Sequence, residues 1–142
     1  MADLTIDDAE EIAPAANAAG LETVFMVTPN TSDERIEKIA ENTTGFVYTV
    51  SLMGTTGERS GLSNLVAPLI KRLKSKTDKP ICVGFGISTA KHAKEIADLG
   101  ADGVIIGSRI VKFIEENLDN KDRMKQQVGE FIGQVSKTIA CP

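Results

Sequence analysis

The sequence holds no tryptophan, one tyrosine, one histidine and two cysteines in 142 residues, and each scarcity removes a class of function. Cys82 lies in an apolar run and Cys141 beside the C-terminus, with no Cys-x-x-Cys. They read as a buried thiol and a tail thiol, not as a disulfide or a thiolate metal site. His92 has no neighbouring ligand set and reads as a surface helix histidine, so no metal is expected. No apolar run approaches the ~20 residues that span a bilayer. Met1 is not followed by a signal-peptide pattern, so a cytoplasmic protein without a membrane partner is expected. A basic excess is also lacking: 16 Lys and Arg against 20 Asp and Glu leave a net charge of -4. Nucleic acid and anionic membranes reward a concentrated basic face, so neither is an expected partner. The closest basic group, Lys71, Arg72, Lys74 and Lys76, spreads over the polar side of a helix and reads as a solvated face.

Linkers and low-complexity tracts are missing too, and residues 1–142 read as one domain. A chain of this size buries roughly two-thirds of its unfolded surface. What is present is an alternation of short β-branched runs with longer helical stretches. Residues 7–19 read as a helix, with Thr5 and Asp8 spaced nearly as a capping box, Pro14 as an internal bend and Gly20 as its stop. Residues 23–27 follow as a strand, and Thr31 or Ser32 caps a second helix with Ile36, Ile39 and Ala40 inside. Residues 46–50 form a second strand, followed by a Gly-rich stretch from Gly54 to Gly61. The third helix carries Leu62, Leu65, Val66, Leu69, Ile70 and Leu73 on one stripe, with a kink expected at Pro68. Strand 81–85, helix 90–99, strand 103–106 and a helical remainder complete the order α(βα)₄. In that remainder, residues 110–117 precede a face of Met124, Val128, Phe131, Ile132 and Val135.

Such alternation implies parallel strands joined by right-handed helical crossovers, and continuously apolar strands imply a buried sheet. Four units fit half of a (β/α)₈ TIM barrel or a small doubly wound sheet; a whole barrel needs about 200 residues or more. In either, ligands bind at the C-terminal strand ends. Three of these four ends are rich in glycine with hydroxyl residues. Glycine lets backbone amides approach a ligand, and the following helix N-terminus favours an anion. The successive ends Gly86-Ile-Ser88 and Gly107-Ser108 are therefore expected to grip one phosphate between them. Neither the dinucleotide fingerprint nor a Walker A loop is present.

Phe46-Val-Tyr48-Thr-Val-Ser51, Gly54-Thr-Thr56-Gly57-Glu-Arg59, Val83-Gly-Phe85-Gly86-Ile-Ser88 and Asp102-Gly-Val-Ile-Ile-Gly107-Ser108 follow one another after an initial Asp3-Leu. Their order and spacing resemble the last four-and-a-half units of the tryptophan synthase alpha subunit family, over nearly the whole sequence. That family cleaves indole-3-glycerol phosphate to indole and glyceraldehyde 3-phosphate by a retro-aldol reaction, and passes indole to a beta subunit. The resemblance implies a lyase of tryptophan biosynthesis with a phosphorylated small-molecule substrate and no cofactor. It implies that Gly57, Gly86, Gly107 and Ser108 bind phosphate, that Tyr48 and Phe85 wall the substrate, and that Thr56 closes a mobile loop over it.

The resemblance also implies a deficit. The reaction needs a general acid for the indole ring and bases for the indole nitrogen and the hydroxyl. The family supplies a glutamate and an aspartate from a second strand and its loop, units that would lie upstream of Met1. No catalytic acid is therefore expected in this chain, and alone it is expected to be inactive. Asp3 and Glu58 read as capping or solvated carboxylates rather than substitutes. Thr5 stands where the family usually has proline, and Arg109 where a small apolar residue is common. Arg109 either assists the phosphate charge or points outward. An isolated half-barrel leaves two edge strands and an apolar face open. Three readings follow: half of a lyase completed by its missing N-terminal half, a self-associating phosphate module, or a scaffold with vestigial loops.

Overall fold

The computed structural model describes residues 4–50, 60–84 and 86–140. Helix α1 (Ala9–Ala18), strand β1 (Met26–Val27), α2 (Asp33–Asn42), β2 (Val47–Val50) and α3 (Ser60–Lys74) come first. Then follow β3 (Ile81–Gly84), α4 (Ala90–Asp98), β4 (Gly103–Ile105), α5 (Ser108–Glu115) and α6 (Lys121–Ile139). The four strands are parallel in the order β1-β2-β3-β4, leaving β1 and β4 at the edges. Order and parallel pairing are those expected of a half-barrel.

Local chemistry accounts for the helix ends. Ser32 accepts the Arg35 amide at the head of α2, Thr89 that of His92 at α4, and Asn120 that of Arg123 at α6. Helix α1 starts two residues later than its sequence suggests. Thr5 accepts the Asp8 amide and donates its hydroxyl to the Asp8 carboxylate, which closes a turn instead of capping a helix. Gly20, at φ +76°, ends α1, with the Leu21 amide reaching back to the Ala16 carbonyl. Pro14 and Pro68 stop neither helix: α1 and α3 run through them. Both prolines sit on the exposed side of their helices.

Strand β1 is shorter than its apolar run. Thr23 is fully buried, donates its amide to the Thr44 hydroxyl oxygen and its own hydroxyl to the Asn42 carbonyl at 2.6 Å. This latch ties the approach to β1 to the α2–β2 loop, and ladder pairing begins only at Met26. Thr43 is likewise buried, donating to the Ile39 carbonyl at 2.7 Å.

The two faces of the sheet differ. Val27, Val47, Ile81 and Val83 are fully buried and share one cluster with Ile36, Ile39, Val66, Leu69, Ile70, Leu73, Ala93 and Ile96 of the helices. Register places Met26, Tyr48, Cys82 and Gly103 side by side on the opposite face, with Val50, Gly84 and Ile105 one row along. On that face Met26, Tyr48, Val50, Cys82 and Ile105 are only half-buried and lie outside the cluster. Cys82 is thus half-buried rather than enclosed; partial burial and the nearby Asp102 carboxylate push its thiol above the ordinary cysteine range. Leu65, expected on the α3 stripe, is half exposed, and the Leu62 side chain lies outside the described residues. Among the described residues no helix is long and apolar enough to cross a membrane.

The basic group on α3 bonds to its neighbours instead of facing water alone. Arg72 donates to Asp33 at 2.6 Å and to the Thr31 carbonyl at 2.9 Å, pinning the β1–α2 loop. This guanidinium holds the Asp33 carboxyl below its usual range. Lys76 pairs with Glu37 and Lys74 with Asp102. Asp102 also accepts the Ile81 amide at 2.9 Å, and its own amide donates to the Ile81 carbonyl, locking the start of β3 to the approach of β4. Helix α6 packs on α4 and α5. Phe113 and Phe131 meet with ring centroids 5.5 Å apart, and the buried Asn117 joins the Phe113 carbonyl to Gln127.

Candidate functional site

A cavity of about 720 Å³ opens at the C-terminal ends of β2, β3 and β4. Tyr48, Ile105 and Ile87 form its apolar wall, while Gly86, Ser88 and Thr89 from one strand end face Gly107 and Ser108 from the next. Arg109 and Lys112 of α5 complete the lining. Four of the residues expected at the site, Tyr48, Gly86, Gly107 and Ser108, are therefore together. Thr56, Gly57 and Phe85 lie outside the described residues, as do Ser51, Gly54, Arg59, Cys141 and the acids Asp3 and Glu58.

The glycines are present for different reasons. Gly84 is a packing glycine: a methyl there would sit 2.8 Å from Tyr48 Cζ and 2.5 Å from its Oη. Its bare Cα is the seat on which the Tyr48 ring rests, which keeps Tyr48 at the cavity wall. Gly86 adopts φ +74°, a left-handed conformation that side chains resist, so it turns the chain at the end of β3. Gly107 needs neither argument. Its φ is -118° and a methyl would meet nothing within 4 Å. What the missing side chain leaves is room for something else to approach the backbone.

Electrostatics at this corner favour an anion. Gly107 offers no side chain to cap α5, and its carbonyl receives the amides of Ile110 and Val111. The first two amides of α5, those of Ser108 and Arg109, have no partner among the described residues. Uncapped amides at a helix start carry partial positive charge. Arg109 and Lys112 add two full charges, and none of the described lining residues is an aspartate or glutamate. His92 is half-buried on α4, its Nδ1 3.4 Å from the Ser88 hydroxyl, and the described residues hold no cluster of metal-ligating groups.

Lys112 and Thr89 escaped the sequence reading. Lys112 is one helical turn beyond Ser108, and that i, i+4 spacing is the signal that brings it to the same corner.

A family profile for the tryptophan synthase alpha chain matches residues 1–140. The tryptophan synthase alpha chain of Methanoregula boonei is 39% identical over 137 residues, which cover 96% of this chain and 52% of that one. That of Methanothermobacter thermautotrophicus is 41% identical over 132 residues, covering 93% and 49%. Among solved structures, a chain of the tryptophan synthase α2β2 complex of Pyrococcus furiosus superposes with a TM-score of 0.81 at 37% identity, over 94% of this chain and 52% of that chain. The chain thus spans about half the length of the curated relatives it matches. With its parallel half-barrel and its glycine-lined strand ends, this protein belongs to the tryptophan synthase alpha chain family.

Proposed function

We propose that this chain carries the phosphate-gripping half of a tryptophan synthase alpha barrel, and that residues 1–142 fold as a single domain. In this reading Gly57, Gly86, Gly107 and Ser108 hold the phosphate of indole-3-glycerol phosphate, Tyr48 and Phe85 wall the indole, and Thr56 anchors a closing loop. The observation that carries it is the convergence of Gly86, Gly107 and Ser108 on one cavity beside Tyr48 and two cations. Carbon–carbon cleavage to indole and glyceraldehyde 3-phosphate needs a proton delivered to the indole ring and protons removed from nitrogen and hydroxyl. The described cavity lining has no carboxylate for either task. The chain alone therefore binds but does not cleave, and the acids come from a complementary half. A beta subunit receiving the indole, and a cytoplasmic setting, belong to the same reading.

A specific observation also favours self-association as a second reading. Met26, Tyr48, Val50, Cys82 and Ile105 form a half-buried row between β1 and β4, the outer strands of the described sheet, and a second copy covering it would shelter that face. A vestigial scaffold is the third reading, and the binding test separates it from the other two.

Glycerol phosphate at about ten times its Kd stabilises a binding protein by about 1.4 kcal/mol, on the order of 4 °C for a domain of this size. The melting temperature should rise accordingly. Gly107→Val, placed in open space, should fold yet lose the shift. Ser108→Asp should fold too, because an acid suits a helix start, and should repel the ligand. A melting temperature unmoved by millimolar glycerol phosphate would leave the strand ends as ancestry without function.

A further inference from the structure

Arg109 is placed as no ordinary surface arginine is. Its guanidinium carbon lies 4.0 Å from the centroid of the Phe113 ring, and Phe113 is itself braced by Phe131. Stacking on a ring fixes the plane of a guanidinium while leaving its N–H edge free. Among the described residues no carboxylate pairs with it. Most other cations here do have such partners: Arg35 pairs with Asp7, Arg72 with Asp33, Lys94 with Asp98 and Lys112 with Glu116. Arg109 also borders two cavities. One is the cavity of Gly86 and Ser108; the other, of about 370 Å³, lies between α4, α5 and α6 beside Gln127, Glu130 and Gln134. It thus stands on the partition between the phosphate corner and the helical layer, half-buried and without a counter-ion among the described residues.

We propose that Arg109 is a specificity-determining residue of this pocket, a preorganised guanidinium that makes the site select the dianion of a phosphate monoester. The inference rests on the phosphate reading given above and adds the charge state to it. Backbone amides and helix ends attract any anion and supply partial charges only, and the other full charge at the cavity, Lys112, is shared with Glu116. A planar guanidinium presents two parallel donors that match two oxygens of one phosphate, and its full charge gains most from a doubly charged partner. A phosphate monoester loses its second proton near pH 6. Affinity in the native protein should therefore climb as pH rises from about 5 to 7.5, following that second ionisation. Phe113, which lines the second cavity and not the first, acts as a positioning residue, holding the guanidinium where the two cavities adjoin.

Titration calorimetry of the full chain with glycerol 3-phosphate, at pH 5 and pH 7.5, tests this. Charge-assisted hydrogen bonds are worth about 1.5–3 kcal/mol, so Arg109→Gln should weaken binding at least about tenfold at pH 7.5 and flatten the dependence on pH. Arg109→Lys should keep part of the pH dependence while losing affinity, since a point charge replaces a fork. Phe113→Leu should fall between native and Arg109→Gln. Native binding that is abolished by Gly107→Val but untouched by Arg109→Gln, with the same pH slope, overturns the role of Arg109 and leaves the phosphate pocket standing. Absence of native binding at both pH values overturns both.

Discussion

At the scale of single residues, burial and hydrogen bonding sort the side chains more finely than hydropathy does. Thr49 is fully buried in the central part of the sheet, and its hydroxyl finds no hydrogen-bond partner among the described residues. A buried hydroxyl without a partner costs about 1–3 kcal/mol. Thr49→Val keeps the shape and removes the hydroxyl, and should raise stability by about 1 kcal/mol, read as a higher urea midpoint at unchanged slope. A lower midpoint would mean that the hydroxyl is satisfied. The site was legible at this scale wherever a residue type carried its own reason. Glycine beside a hydroxyl at a strand end pointed to Gly86, Gly107 and Ser108, and all three reach one cavity. Gly84 was harder to read. It stands in the same Gly-x-Gly as Gly86, yet the space beside it is filled by Tyr48 from the neighbouring strand. That contact depends on the β2–β3 register, which no local pattern encodes. Lys112 looked like any solvated helix lysine until α5 was placed at the cavity mouth.

Secondary-structure elements were recovered in kind and order, and their errors share a cause. Strands β1, β2 and β4 are shorter than their apolar runs, because a run measures hydrophobicity and a ladder measures pairing. The Thr23–Thr44 latch joins residues 21 apart in sequence, and it is what holds back the start of β1. Leu65 fits the stripe of α3 by periodicity yet is half exposed, since a period fixes a face without naming what covers it. Alignment of β3 with β4 depends on the Asp102 carboxylate, which accepts the Ile81 amide at 2.9 Å where backbone pairing begins. Asp102→Ala should leave that amide without its acceptor and cost about 1–3 kcal/mol. Asp102→Asn, which keeps an acceptor oxygen, should recover much of the loss; equal unfolding midpoints for the alanine and asparagine variants would show that the bond to Ile81 contributes nothing.

At the scale of the whole molecule, the four strands and their helices form one sealed interface and one half-open one. The half-open face carries Met26, Val50 and Ile105 between two edges able to pair. Closure by a partner should therefore be measurable. Sizing chromatography over a hundredfold range of concentration should show the chain leaving the monomer position, or doing so once the complementary half of a related alpha chain is added, with indole released from indole-3-glycerol phosphate only by the mixture. A chain that remains monomeric alone and beside that half would rule out both forms of closure. Along β2 and β3, adjacent residues answer to different environments. Val47, Ile81 and Val83 face the buried cluster, while Tyr48, Val50 and Cys82 lie half-buried outside it, on the face that the proposed closure would cover. A defect introduced at the first set is felt when the protein folds, and under the proposed closure one at the second is felt only when it assembles, so a step of one position along the backbone would move a fault from the birth of the protein to its working life.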